Sequence, residues 1–223
     1  MWRDNNCKFL ILLLLAVCIA GCSFLTRTPQ VQTKYVLSKL NCAAALKSGG
    51  PGIIVASPRG PSFITGNNII FAKSANIRAA YKYSSWALPF SDQLAEMLTR
   101  DLECSGAFRM VTHTSPGARA QYLLNTELND LYHDASAQPG KIVISARFEI
   151  LDLPTREILA SHLSQIEVPV EQPNAQAAVS AYDAAVLQLL NEVREWVISA
   201  SVNSARTNVT RSETTIRNEE STH

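Results

Sequence analysis

Residues 142–168 constrain the fold more than any other part of this sequence. Ile142, Ile144, Ala146, Phe148 and Ile150 alternate with a polar set that includes Ser145, Arg147 and Glu149. That is the period of a strand with one covered face and one wet one. Asp152–Arg156 (DLPTR) is turn material, and Glu157–Val168 then runs back as a partner. Strands joined by so short a turn must be antiparallel, so a sheet that contains them cannot be wholly parallel. Tyr122, Leu124, Thr126 and Leu128 alternate in the same way and predict a neighbouring strand.

The remaining elements complete a mixed-sheet α/β pattern. Strands are predicted at Thr33–Leu40, Gly52–Ala56, Asn68–Ala72, Ile77–Tyr83 and Ala107–Thr112, with an irregular loop at Pro58–Gly66. Ser91 and Asp92 read as a helix start; Leu94, Met97, Leu98 and Leu102 make its apolar face, and Gly106 is placed to stop it. A second helix opens at Pro173–Asn174, with Val179, Tyr182, Val186, Leu189, Val193 and Trp196 as its stripe. Beyond about residue 202 the chain is almost devoid of apolar groups, and 202–223 reads as a disordered tail.

The N-terminus carries a different message. Arg3 and Lys8 precede an apolar run, Phe9–Ala20, of about twelve residues. A membrane-spanning helix needs roughly 20, so residues 1–21 read instead as a secretory signal peptide. Ile19-Ala20-Gly21-Cys22 fits the lipoprotein pattern of an aliphatic residue, a small residue, then Gly, Ala or Ser directly before Cys; at Cys18 the position directly before Cys holds bulky Val17. Cys22 is therefore the predicted acylation site, with palmitate among the expected acyl chains and residues 22–32 as a lipidated tether. Each buried methylene adds about 0.8 kcal/mol, so several chains hold a protein on its membrane where one does not. Ser23 lacks the aspartate that favours inner-membrane retention, which points to the outer membrane.

Composition excludes some partners. Without the signal peptide, 18 basic and 18 acidic side chains remain, so no basic surplus suggests nucleic acid. Cys42 and Cys104 can pair in an oxidising periplasm or stay as two buried thiols, and spacing does not decide between them.

No reaction is legible. His113, His133, His162 and His223 share no metal-ligand spacing with each other or with a cysteine, and each reads as a surface or loop residue. No nucleophile elbow, phosphate loop or dinucleotide fingerprint occurs. No metal, cofactor or catalytic residue is expected. Trp86 and Phe90, with Tyr81 and Tyr83 nearby, allow two readings: core packing at a strand-to-helix corner, or an edge that contacts lipid or a partner.

One resemblance covers roughly residues 33–201. It rests on the order of a lipobox, a YVLS strand, IRAAYKYSSWALPFSDQLAEMLTRDLECSGAFRMV, the ARFEILDLPTREILASHLSQIEV hairpin and a closing helix. The Trp before the amphipathic helix and the Asp-x-x-Thr turn carry most weight. This order is similar to the ABC-type transport auxiliary lipoproteins, which accompany MCE (mammalian-cell-entry) lipid transport systems. The loop at 58–68 departs from their pattern, with Phe63-Ile64-Thr65 where a Leu-Asp segment is usual.

The resemblance implies a three-layer α/β/α, anticodon-binding-domain-like fold with a mixed sheet. It also implies a non-enzymatic role beside an MCE-family protein and its permease and ATPase, anchored at the outer membrane and facing the periplasm. A homo-oligomer stays open. A cell-wall synthase activator is the alternative, but such activators reach through peptidoglycan on long linkers. Here about ten residues separate Cys22 from the first strand, a reach of some 35 Å at most.

Overall fold

The computed structural model describes residues 31–42, 50–113 and 119–220, with backbone alone for 204–220. The signal peptide, Cys22, nearly all of the tether and His223 lie outside the described residues.

Among the described residues eight strands form one mixed sheet: β1 (Thr33–Tyr35), β2 (Gly52–Val55), β3 (Asn68–Ser74), β4 (Ile77–Trp86), β5 (Met110–His113), β6 (Tyr122–Asp134), β7 (Gly140–Asp152) and β8 (Ile158–Val170). The helices are α1 (Ser62–Thr65), α2 (Phe90–Ser105) and α3 (Ala175–Glu220). The chain is thus α/β with a mixed sheet, as expected.

The β7–β8 hairpin is antiparallel along its length, and its turn explains the Asp-x-x-Thr pattern. The buried Asp152 carboxylate accepts the Thr155 N–H at 3.1 Å, and Arg156 takes the left-handed conformation (φ 62°). β6 is the strand on which the rest is hung. One edge pairs with β7 throughout; the other is shared between β2 at its start and β3 at its end, both parallel.

Between β2 and β3 the loop predicted at 58–66 is pinned to the middle of β6. Arg59 N–H donates to Thr126 O, and Leu128 N–H donates to Arg59 O. A Cβ on Gly60 would come within 2.5 Å of the Leu128 carbonyl oxygen, so only glycine allows this approach. The loop also contains α1, which sends Ile64 into the core and leaves Phe63 half exposed.

α3 packs on β7 and β8, and α2 covers β2 and β5. The two long helices also touch each other. The opposite sheet face carries Glu127, Arg147 and Glu149, at least partly in solvent.

Two helix ends differ from expectation. α2 starts two residues earlier than predicted: Pro89 occupies the cap position, no side chain caps it, and Ser91 lies inside the first turn. Its C-terminus behaves as expected, with Gly106 left-handed at φ 66°. α3 is capped by Asn174, whose Oδ1 accepts the Ala177 N–H at 2.9 Å. Its backbone runs to Glu220 rather than giving way to a disordered tail at 202. No Gly or Pro interrupts the chain between Asn174 and Glu220, so nothing local stops the helix.

Candidate functional site

Trp86 and Phe90 are inside. Both are almost fully buried, with ring centroids 5.6 Å apart, and Tyr182 of α3 packs on them at 5.4 and 6.1 Å. The lipid- or partner-contacting reading of these two residues is therefore corrected: they lock the β4–α2 corner onto α3. Burial pushes the Tyr182 phenol well above its ordinary range, which keeps it neutral.

The segment after β1 crosses the helices as a strap, held by side chains from both. Gln93 Oε1 accepts the Leu37 N–H at 2.8 Å, and Asp183 accepts both the N–H and the hydroxyl of Ser38 at 2.8 and 2.7 Å. Leu37 is buried under this clamp. The strap ends at Cys42, which lies against Cys104 of α2 with Cα atoms 6.1 Å apart, inside the span of a disulfide. Beside the strap runs a groove of about 830 Å³, with Val36, Leu40, Leu88 and Met97 as apolar lining and Asp92 and Glu96 along its α2 wall.

The histidines fall in three environments. His133, expected at the surface, is buried instead. Its Nδ1 lies 2.7 Å from the Tyr81 hydroxyl, and its Nε2 has no partner. Burial lowers its pKa and raises that of Tyr81, so the pair is neutral. His162 contacts Glu192 at 2.6 Å and stacks on Trp196, while Ser164 donates to the other oxygen of Glu192 at 3.0 Å. That places a carboxylate between serine and histidine, not a histidine between serine and carboxylate, so it is not a nucleophile–base pair. His113 Nδ1 faces Val55 O at 3.0 Å and its Nε2 is 3.5 Å from Ser57 Oγ, too long for a working hydrogen bond. Among the described residues no cluster of His, Cys, Asp or Glu is arranged to hold a metal. None of the described helices is long and apolar enough to cross a membrane.

Asp101 of α2 and Arg194 of α3 meet at 2.6 Å and tie the two helices together. Burial raises the Asp101 pKa, and Arg194 opposes this only in part, so the pair locates the helices more than it stabilises them.

Residues 35–194 match the family of ABC-type transport auxiliary lipoprotein components. The chain belongs to that family. No curated protein matches this auxiliary lipoprotein in sequence. Among solved structures, a DUF330-family protein from Xanthomonas campestris is similar, with TM-score 0.70 and 19% identity over 78% of this chain and 99% of that one. A second, of an uncharacterized protein, has TM-score 0.60 and 16% identity over 75% of this chain and 99% of its own. Both likenesses concern the fold.

One feature of the auxiliary lipoprotein escapes motif reading because it is an absence. From Asn5 to Ser91 there is no Asp or Glu. Residues 22–91 carry eight Lys and Arg, and all 18 acidic side chains downstream of the signal peptide follow, alongside 10 basic ones. The overall balance of zero hides this asymmetry, and a count by segment reveals it. Within the basic part, the β3–β4 hairpin holds Lys73, Arg78 and Lys82. Arg78 lies 3.9 Å over the Tyr132 ring and donates to the turn carbonyls of Ser74 and Ala75 at 3.3 and 3.0 Å. Ile77, at the turn itself, is 54% exposed.

Proposed function

We propose that this auxiliary lipoprotein is a non-catalytic docking or assembly component of an MCE-type lipid transport system. In this reading it is anchored by acyl chains on Cys22 at the outer membrane and faces the periplasm. The observation that carries this is the combination of family membership with a tether of about ten residues, whose reach of some 35 Å keeps the domain beside its membrane. Hydrolysis of ATP belongs to another subunit, and this chain supplies a rigid body at a fixed place. A disulfide between Cys42 and Cys104 fits the reading: it would fasten the strap that follows the tether to α2, so a pull on the anchor meets the helical layer and not β1 alone.

Co-purification from membranes in mild detergent tests the partner. An MCE-family subunit or its permease in the eluate is the expected result, and neither being present overturns the proposal. Intact mass of the purified chain tests the anchor: the expected species starts at Cys22 and carries three acyl chains.

A further inference from the structure

The direction of β1 fixes which end of the domain the tether enters. β1 is parallel to β4, with Thr33 opposite Ser84 and Tyr35 opposite Trp86. The start of β1 therefore points to the same end of the sheet as the start of β4, which is the β3–β4 turn. β4 continues seven residues beyond the Thr33–Ser84 pair to Ile77, about 23 Å at strand rise. The hairpin tip thus projects past Thr33, the first residue of β1, and a tether with a reach of some 35 Å is long enough for that tip to reach the anchoring membrane.

The tip has the composition of a surface for such a membrane. Ile77 is an exposed branched apolar residue in a turn, where polar residues are the rule. Lys73, exposed, and Arg78, half-buried, flank it, and residues 68–86 contain no acid. Asp134 ends β6 at this end of the sheet. Hydrogen bonds from the Ser136 hydroxyl and N–H hold its pKa down, and the charges of Lys141 and Arg78 add to this. Glu167, also at this end, is engaged by Lys141 at 2.7 Å.

We propose that the β3–β4 tip rests on the anchoring bilayer, with Ile77 in the interfacial layer and Lys73 and Arg78 on anionic phospholipid headgroups. This rests on the reading of Cys22 as the acylated residue, and it adds an orientation: the 74–77 turn faces the membrane and the 153–157 turn faces away.

The test uses the full acylated chain in phosphatidylcholine vesicles that contain phosphatidylglycerol and brominated acyl chains. Two single variants, I77W and I158W, place an indole at exposed apolar positions at opposite ends of the sheet. The expected result is bromine quenching several-fold stronger for I77W than for I158W, weakened by high salt or by adding Lys73→Glu. Equal quenching, or stronger quenching of I158W, overturns the orientation, provided both variants unfold at the wild-type midpoint. Should intact mass show no acyl chains, the anchor reading fails by itself. The tip is then tested with the full-length Cys22→Ser chain on the same vesicles without bromine. Binding to anionic over neutral vesicles that drops about fivefold or more with Lys73→Glu supports the tip's role, and no preference overturns it.

Discussion

The β3–β4 hairpin and the β6–β7–β8 meander are both antiparallel, yet they are built on opposite terms. Each meander strand has thirteen residues, with a buried inward face and mixed charges outside. The hairpin is shorter and acid-free, and its exposed tip carries an isoleucine. Burial on one face pins the register of the meander, because a slip of one residue would turn the whole apolar set to water. The hairpin turn has no such constraint, so its residues are free to serve something outside the domain.

If that contrast is right, substitutions should sort by region. Phe148→Ala, at a fully buried meander position, should lower unfolding free energy by about 3–5 kcal/mol in urea titration. A loss below about 1 kcal/mol would mean the meander is not the stability core. Removing the proposed disulfide, by Cys42→Ser with Cys104→Ser or by a dithiol reductant on the native chain, should cost about 2–4 kcal/mol. Equal midpoints with and without reductant would show that no such bond forms. Asp183→Asn weakens the clamp on Ser38 and should cost about 1 kcal/mol, with faster amide exchange at Leu37 and Ser38 than in the helices beneath.

The effect of pH acts through His133. Its neutral form is favoured by burial, so near pH 6.5 the unfolded chain binds the extra proton. The associated stability is intact above 6.5 and falls as pH drops below it, by at most about 1.4 kcal/mol per pH unit. The difference between wild type and His133→Phe across pH 7 to 5 isolates it, and a wild-type curve as flat as the variant's would contradict the burial argument. At the bottom of the scale, Ile77→Asp should change stability by no more than about 0.5 kcal/mol while abolishing vesicle contact. That separation of effects is what distinguishes the hairpin from the meander.

What could be read from the sequence follows the same division. The meander was legible because its alternation is driven by one buried face, and Asp152 announced its turn. The alternation failed at one place: a bulge between Leu128 and Asp130 shifts the inward set from Leu128 to Leu131 and His133. Followed without that shift, the even-numbered pattern puts His133 at the surface. Trp86 and Phe90 left two readings because an aromatic before a helix looks the same whether α3 covers it or not, and Tyr182 lies nearly 100 residues away. Ser91 misled as a cap because Pro89, with its preset φ, had already made the turn. The basic bias of residues 22–91 was fully present in the sequence but invisible in a whole-chain total.

The central claim is that this auxiliary lipoprotein works as a tethered body on a transporter already at the membrane. It is tested most directly by comparing partner recovery from native membranes for wild type and for Cys22→Ser, matched for amount and folding. The account predicts that an MCE-type subunit accompanies the wild-type chain and is recovered several-fold less with the chain that cannot be acylated. Equal recovery by both would show that the anchor does not place the domain, and recovery of a cell-wall synthase instead would contradict the account outright.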